Sequence, residues 1–249
     1  MSKYAGFWAA WLRAIVPISV LGQARNIGGG FAKKNCSYDS YVKASRIGLD
    51  SANVWIRKSA EIEGWLFDGE PEFLWSMASR PSDGHVLEIG TWMGKTTCIL
   101  AGACIENASH TKVICIDPFN MQGTPEQEAY HKKLVGASGT FYQFIENAQR
   151  LGFIDWIVPI ATTSERALPG VPFHWRMIFI DGAHDYHSVK RDVELSLPGL
   201  MQGGLLVLHD AINSPSWPDV GRYVQDHLRH SPILQWYGSC GTLVAFTKR

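Results

Sequence analysis

The stretch that most constrains the fold is Val86-Leu87-Glu88-Ile89-Gly90-Thr91-Trp92-Met93-Gly94-Lys95-Thr96-Thr97. An apolar run ends in an acid, turns through two glycines and continues as a helical pattern, the signature of a strand–turn–helix unit. Such a turn presents free backbone N–H groups at the start of a helix, and glycine lets a ligand approach the chain closely. Gly94-Lys95-Thr96 imitates the end of a phosphate-binding P-loop, which needs four residues between its first glycine and its Gly-Lys-[Ser/Thr] element. Here Gly90 and Gly94 are separated by three residues and position 89 is Ile, so the P-loop reading fails.

The surviving pattern is Glu-x-Gly-x-x-x-Gly, followed by a second apolar run, Lys112-Val113-Ile114-Cys115-Ile116-Asp117. An acid closing the second strand of a βαβ unit is placed to accept hydrogen bonds from ribose hydroxyls. A third block reads Met177-Ile178-Phe179-Ile180-Asp181-Gly182-Ala183-His184-Asp185-Tyr186, with Val189 and Asp192 after it. A fourth runs from Pro198-Gly199 through Gly203-Gly204-Leu205-Leu206-Val207-Leu208 to His209-Asp210. On these ordered blocks the chain resembles the class I S-adenosylmethionine-dependent methyltransferases. Within them it resembles the branch of antibiotic-sugar O-methyltransferases and cephalosporin-hydroxylase-like proteins. The resemblance spans roughly residues 84–210, with a compatible tail.

Apolar runs alternate with helical patterns from residue 81 onward, which argues for a parallel sheet with crossover helices. Strands are expected near 85–89, 112–117, 155–160, 176–181 and 204–209, and helices near 95–106, 125–135, 140–151, 187–197 and 218–229. Ile233–Tyr237 and Thr242–Thr247, with Gly238 and Gly241 between them, suggest a terminal hairpin. The expected fold is therefore α/β, a Rossmann-like, mostly parallel methyltransferase sheet with one antiparallel edge strand. Residues 1–80 read as a helical N-terminal cap or oligomerisation region and 81–249 as the cofactor-binding domain. Within the cap, Gly28-Gly29-Gly30 marks a flexible joint, and Ile56–Leu66 and Pro71–Ala78 read as short helices.

With 46% apolar and 18% charged residues, a chain of 249 residues has ample material for one large core. The net charge is zero and no basic stripe accompanies the tryptophans, so nucleic acid is not an expected partner. Lys3, Arg13, Arg25, Lys33, Lys34, Lys43 and Arg46 nevertheless face only Asp39 and Asp50 in the first fifty residues. Ala5–Gly22 is apolar but interrupted by Arg13 and Pro17, too short to span a bilayer. Contact of this N-terminus with a membrane surface or with a second protomer stays open, and a homodimer is expected. Five cysteines without C-x-x-C spacing read as reduced thiols and favour a cytoplasmic setting.

The resemblance implies roles for particular residues. Gly90 and Gly94 would form the turn beside the amino-acid portion of S-adenosylmethionine, and Glu88 would engage its ammonium directly or through water. Thr91 and Thr96 are further candidates at the same turn, although a hydroxyl at a helix start also serves as a cap. Asp117 is the expected ribose acceptor, and Ser164, with Thr163, would meet the adenine edge or cap a helix. Asp181, counted with the cofactor residues, and Asp210 close the fourth and fifth strands at the rim where ligands bind in open α/β sheets. In the related family such acids hold a divalent metal, so Mg2+ on Asp181 and Asp210 is expected. Relatives show an acid or amide beside the last aspartate, where this chain has His209 and Ala211.

His184 is the expected general base, because histidine titrates near neutrality and can take a hydroxyl proton as the methyl moves. Capping the next helix or orienting Asp181 is its alternative role, and His209 is the rival base. The expected activity is methylation of a hydroxyl on a small-molecule acceptor, a sugar or secondary metabolite. Methylation of nitrogen or of a protein side chain, and cofactor binding without methylation, are the alternatives.

Overall fold

The computed structural model describes residues 46–249 apart from 108–109, 121–124, 137–138 and 172–173. The apolar N-terminal segment, the triglycine joint and most of the basic residues discussed above lie outside the described residues. Seven strands form one sheet: β1 (His85–Ile89), β2 (Val113–Ile116), β3 (Ile157–Ile160), β4 (Trp175–Ile180), β5 (Leu200–Leu208), β6 (Leu234–Cys240) and β7 (Leu243–Lys248). Their order is β3-β2-β1-β4-β5-β7-β6. The first five are parallel, and β7 pairs antiparallel with both β5 and β6. The reversed strand of the hairpin therefore slots in beside β5, and β6 takes the outer edge. Among the described residues, no helix is long and apolar enough to cross a membrane.

Strands β2 and β4 are buried along their whole length, as parallel strands covered on both faces must be. Alternate side chains enter two apolar layers. Val86, Val113, Met177, Phe179, Leu205 and Val207 pack under helices α1 (Arg46–Ala60), α2 (Glu70–Ala78), α3 (Lys95–Glu106) and α5 (Gly139–Leu151). Leu87, Ile114, Ile178, Ile180, Leu206 and Leu208 pack under α7 (Tyr186–Ser196) and α8 (Pro218–Tyr223). Between α5 and α7 lies a single turn of helix, α6 (Ser164–Ala167); α4 (Pro125–Val135) precedes α5. Helix α3 is apolar nearly all round because it lies inside, between the sheet and α1, with Thr96 through Cys104 buried. Its partner α1 is pinned by Trp55 Nε1, which donates to Glu106 Oε1 at 3.0 Å.

Two elements differ from expectation. Helix α1 covers Arg46–Ala60 among the described residues and stops at Ala60, where Glu61 and Ile62 turn back onto the carbonyls of Lys58 and Ser59 before Gly64 at φ 148°. Strand β5 starts at Leu200, because Trp175 pairs with Leu200 while Met177 pairs with Leu205, so the extra residues form an irregularity around Gly203-Gly204.

Register fixes what comes next. Ile89 is level with Ile116 and Ile180, and Ile180 with Leu208. The ladder runs one residue further: Gly90 N donates to Ile116 O (2.9 Å), Asp181 N to Ile89 O (2.8 Å) and His209 N to Ile180 O (3.0 Å). Gly90, Asp117, Asp181 and His209 therefore emerge side by side at the carboxyl end of the sheet.

Candidate active site at the carboxyl end of the sheet

Gly90 leaves β1 at φ 86°, and a Cβ built on it would lie 2.0 Å from the Asp181 carbonyl oxygen. The first motif glycine is thus required by the protein's own backbone, which brings the β1 turn against the β4 exit. Gly94 starts α3 at φ 89°, with Phe144 packed where a Cβ would go. Lys95, which completes the P-loop lookalike, points its ammonium away to the Ile62 carbonyl at 2.8 Å. Thr96 is buried in the first turn of α3.

Asp117 holds the turn. Its Oδ2 accepts the backbone N–H groups of Thr91 (2.9 Å) and Trp92 (2.8 Å), and its Oδ1 accepts that of Phe119 (2.6 Å). A carboxylate oxygen offers about two acceptor sites, so Oδ1 retains one for a further donor. Glu88 lies beneath the same turn, fully buried, with Oε2 accepting the Thr97 hydroxyl and lying 3.4 Å from that of Thr91. Burial, with the charges of Asp181 and Asp117 added, pushes its carboxyl up to about 8 against the Thr97 hydrogen bond. Its Oε1 is buried and accepts no hydrogen bond.

Across the rim, two aspartates and two histidines meet. His184 Nε2 lies 3.4 Å from Asp181 Oδ1 and 3.2 Å from Asp210 Oδ2. His209 Nδ1 lies 3.2 Å from the same Asp181 oxygen and 3.4 Å from the same Asp210 oxygen. Ligand atoms of Asp181, His184 and Asp210 lie within 4.8 Å of one another. The His184 nitrogen is buried, yet neither contact has hydrogen-bond geometry. Burial opposes charge on this imidazole, but the two carboxylates outweigh it and hold its pKa up at about 9. The same acids hold His209 far above its ordinary range despite its burial, and the histidines hold Asp210 well below the usual carboxylate range. Asp210 sits at φ 53°, tolerated by aspartate, with the Ser214 hydroxyl on its Oδ1 at 2.7 Å.

Several candidates fall elsewhere. The Ser164 hydroxyl donates to Asp192 Oδ1 inside the protein, and burial raises Asp192 to about 6 despite that bond. Helix α7 is capped by Asp185, which accepts from the nitrogens of His187 and Ser188 at 3.1 Å, so His184 is free of that duty. His209 is 4% exposed, with its other nitrogen 3.2 Å from Glu70 Oε2. His209 is thus buried among three acidic partners, Glu70, Asp181 and Asp210. Two neighbours had no legible signal. Trp217 stacks on the His184 ring at 4.5 Å, and Glu70 arrives from α2.

A parallel sheet in this order, with a glycine turn after its first strand and acids beyond the second, fourth and fifth, defines a Rossmann-like class I methyltransferase fold. S-adenosylmethionine-dependent methyl transfer is the activity of that class. The chain belongs to the methyltransferase-domain family, whose model matches residues 87–211, half of the sequence. Among solved structures it is similar to the O-methyltransferase NovP, with 16% identity over 71% of this chain and 78% of that one, at a TM-score of 0.56. It is also similar to cofactor-bound Rv0187 from MTB (19% identity, 85% and 94% covered, TM-score 0.52). The O-methyltransferase from Bacillus cereus in complex with SAH aligns at 15% identity over 84% and 96%, with a TM-score of 0.51.

Proposed function

We propose that the protein transfers the methyl group of S-adenosylmethionine to a hydroxyl oxygen of a small-molecule acceptor, at a centre that also holds a divalent cation. The observation that supports the cation is the convergence of Asp181 Oδ1, His184 Nε2 and Asp210 Oδ2 with contacts of 3.2 and 3.4 Å and no hydrogen-bond geometry at the imidazole. An octahedral ion with bonds of roughly 2.1 Å spaces adjacent donor atoms about 3 Å apart, close to what these side chains present. Two carboxylates suit Mg2+ or Mn2+, and the imidazole adds affinity for a transition ion. This reading makes His184 a ligand rather than the general base. Bound there, a divalent cation supplies the positive charge that lowers the pKa of an acceptor hydroxyl.

For the cofactor, the fit rests on Glu88 and Asp117. A buried carboxyl oxygen with no hydrogen-bond partner at the turn, Glu88 Oε1, matches an amino group, whose positive charge would favour the ionised carboxylate, and the spare acceptor site of Asp117 matches a hydroxyl. S-adenosylmethionine supplies a methyl already activated by its sulfonium. What remains for the chain is in-line positioning and removal of one proton. With cofactor and acceptor bound, methyl transfer to oxygen would leave S-adenosylhomocysteine, and the hydroxyl proton would pass to water at the rim, where the Asp181 side chain is 24% exposed.

The test is S-adenosylhomocysteine formation in a screen of sugars, catechols and glycosides against amines, with and without EDTA. Turnover of a hydroxyl acceptor that EDTA abolishes and Mg2+ or Mn2+ restores is the expected result. Turnover confined to amines and indifferent to EDTA would overturn it.

A further inference from the structure

The carboxylate of Glu70 is fully buried at the start of α2, outside the segment matched by the family model. A buried carboxylate costs several kcal/mol unless its oxygens are met by donors, so its placement needs an account. Its two oxygens divide the work. Oε1 accepts the backbone N–H of Thr242 (2.6 Å) and the Thr242 hydroxyl (2.9 Å), which ties α2 to the β6–β7 turn. Oε2 accepts the Phe67 N–H (2.8 Å) and lies 3.2 Å from His209 Nε2, a partner 139 residues away. The opposite nitrogen of that imidazole lies between Asp181 and Asp210. Glu70 thus touches, through one rigid ring, both carboxylates of the rim.

We propose that Glu70 is a positioning residue of the cation centre: it fixes the His209 ring, and the ring fixes the Asp181 and Asp210 oxygens that face His184. The inference rests on the cation reading above and extends it to a helix outside the matched domain. Outer carboxylate–histidine pairs of this kind orient the groups that hold a metal, and losing one typically weakens metal affinity about 10–100-fold. A purely structural tie would act through Oε1 and the hairpin alone.

A matched control grips the same helix from strand β4. Arg176 holds the far end of α2 by donating to the carbonyls of Ala78 (2.7 Å) and Arg80 (3.3 Å), remote from the rim. Mn2+ binding to the full chain, read from the loss of the free-ion electron paramagnetic resonance signal, is compared for wild type, Glu70→Gln and Arg176→Gln. Thermal unfolding and calorimetric S-adenosylmethionine binding are measured alongside. Glu70→Gln is expected to weaken Mn2+ binding about 10–100-fold with cofactor affinity kept within about twofold. Arg176→Gln is expected to lower Tm and leave Mn2+ affinity alone. Wild-type Mn2+ affinity in Glu70→Gln overturns the proposal, as does an equal loss in Arg176→Gln, which would mean general loosening of α2. Should Glu70→Gln not fold, His209→Asn interrupts the same link, and intact Mn2+ binding there overturns it too. A wild-type protein that does not bind Mn2+ overturns the cation reading itself and this inference with it.

Discussion

Trp92 is held at φ 46° with its backbone nitrogen 2.8 Å from Asp117 Oδ2, across 25 residues of sequence. A bulky side chain in the left-handed region costs roughly 1–2 kcal/mol, so something must hold it there. The same carboxylate oxygen takes the Thr91 N–H, and charged hydrogen bonds of this kind contribute about 1.5–3 kcal/mol each. Asp117→Ala should therefore lower Tm and weaken S-adenosylmethionine about tenfold or more, since 1.4 kcal/mol is a factor of ten. Calorimetry on the variant checks this; unchanged cofactor affinity would remove Asp117 from the binding site.

Glu88 makes stability depend on pH. Burial raises its carboxyl from 4.5 to about 8 in the folded protein, so the native state keeps a proton that the unfolded chain releases. The resulting stability is fully present below pH 4.5 and is lost as pH rises through 8, by an amount on the order of several kcal/mol. Glu88→Gln cannot titrate. Its Tm should rise relative to wild type on going from pH 5 to pH 8.5 or so, in a melting series at constant salt. A constant difference between the two proteins across that range would show that Glu88 is ionised in the fold.

How much of this was readable in the chain differs by element. Strands β1, β2 and β4 and helix α3 were legible because buried parallel strands are largely apolar runs, and each of these strands is closed by Gly90, Asp117 or Asp181. Since strand ends in register share one edge, the meeting of those three residues followed from the same runs. For Ser164 a hydroxyl after a strand suggests a ligand contact or a cap, and the partner its hydroxyl meets, Asp192, is 28 residues on and invisible locally. The role of Gly90 was only half visible, because its closest neighbour is the carbonyl of Asp181. Glu70 was illegible for a plainer reason. An acid before Pro71 reads as ordinary first-turn chemistry of a helix, and nothing local announces a histidine 139 residues away.

That contact makes Gly90→Ala a severe change for one methyl group. The alanine would need φ near 86° and would place its Cβ 2.0 Å from the Asp181 carbonyl oxygen. Strain and the forced separation of β1 from β4 should cost at least roughly 2 kcal/mol, seen as a lower urea midpoint. Because the displaced segment carries Asp181, turnover should fall further than stability does. A variant with normal stability and normal turnover would mean that the turn has room the structure denies.

The role of His184 is decided by how its loss responds to metal. Its Nε2 contacts the two carboxylates while its ring lies against Trp217, 4.5 Å away, so the imidazole is aimed inward. If it is a ligand, His184→Ala leaves S-adenosylmethionine binding intact and lowers turnover because the cation is held by two carboxylates alone. Raising Mn2+ should then recover much of the activity, since the deficit lies in occupancy. If it is a general base, turnover falls by about 10²-fold or more and stays down at any Mn2+ concentration, because the missing step is a proton transfer. The first outcome is the one expected from the proposed cation centre. Initial rates of wild type and variant over a Mn2+ titration, at saturating cofactor and acceptor, separate the two: a shifted midpoint with a recovered plateau supports ligation, and a depressed plateau with an unshifted midpoint refutes it.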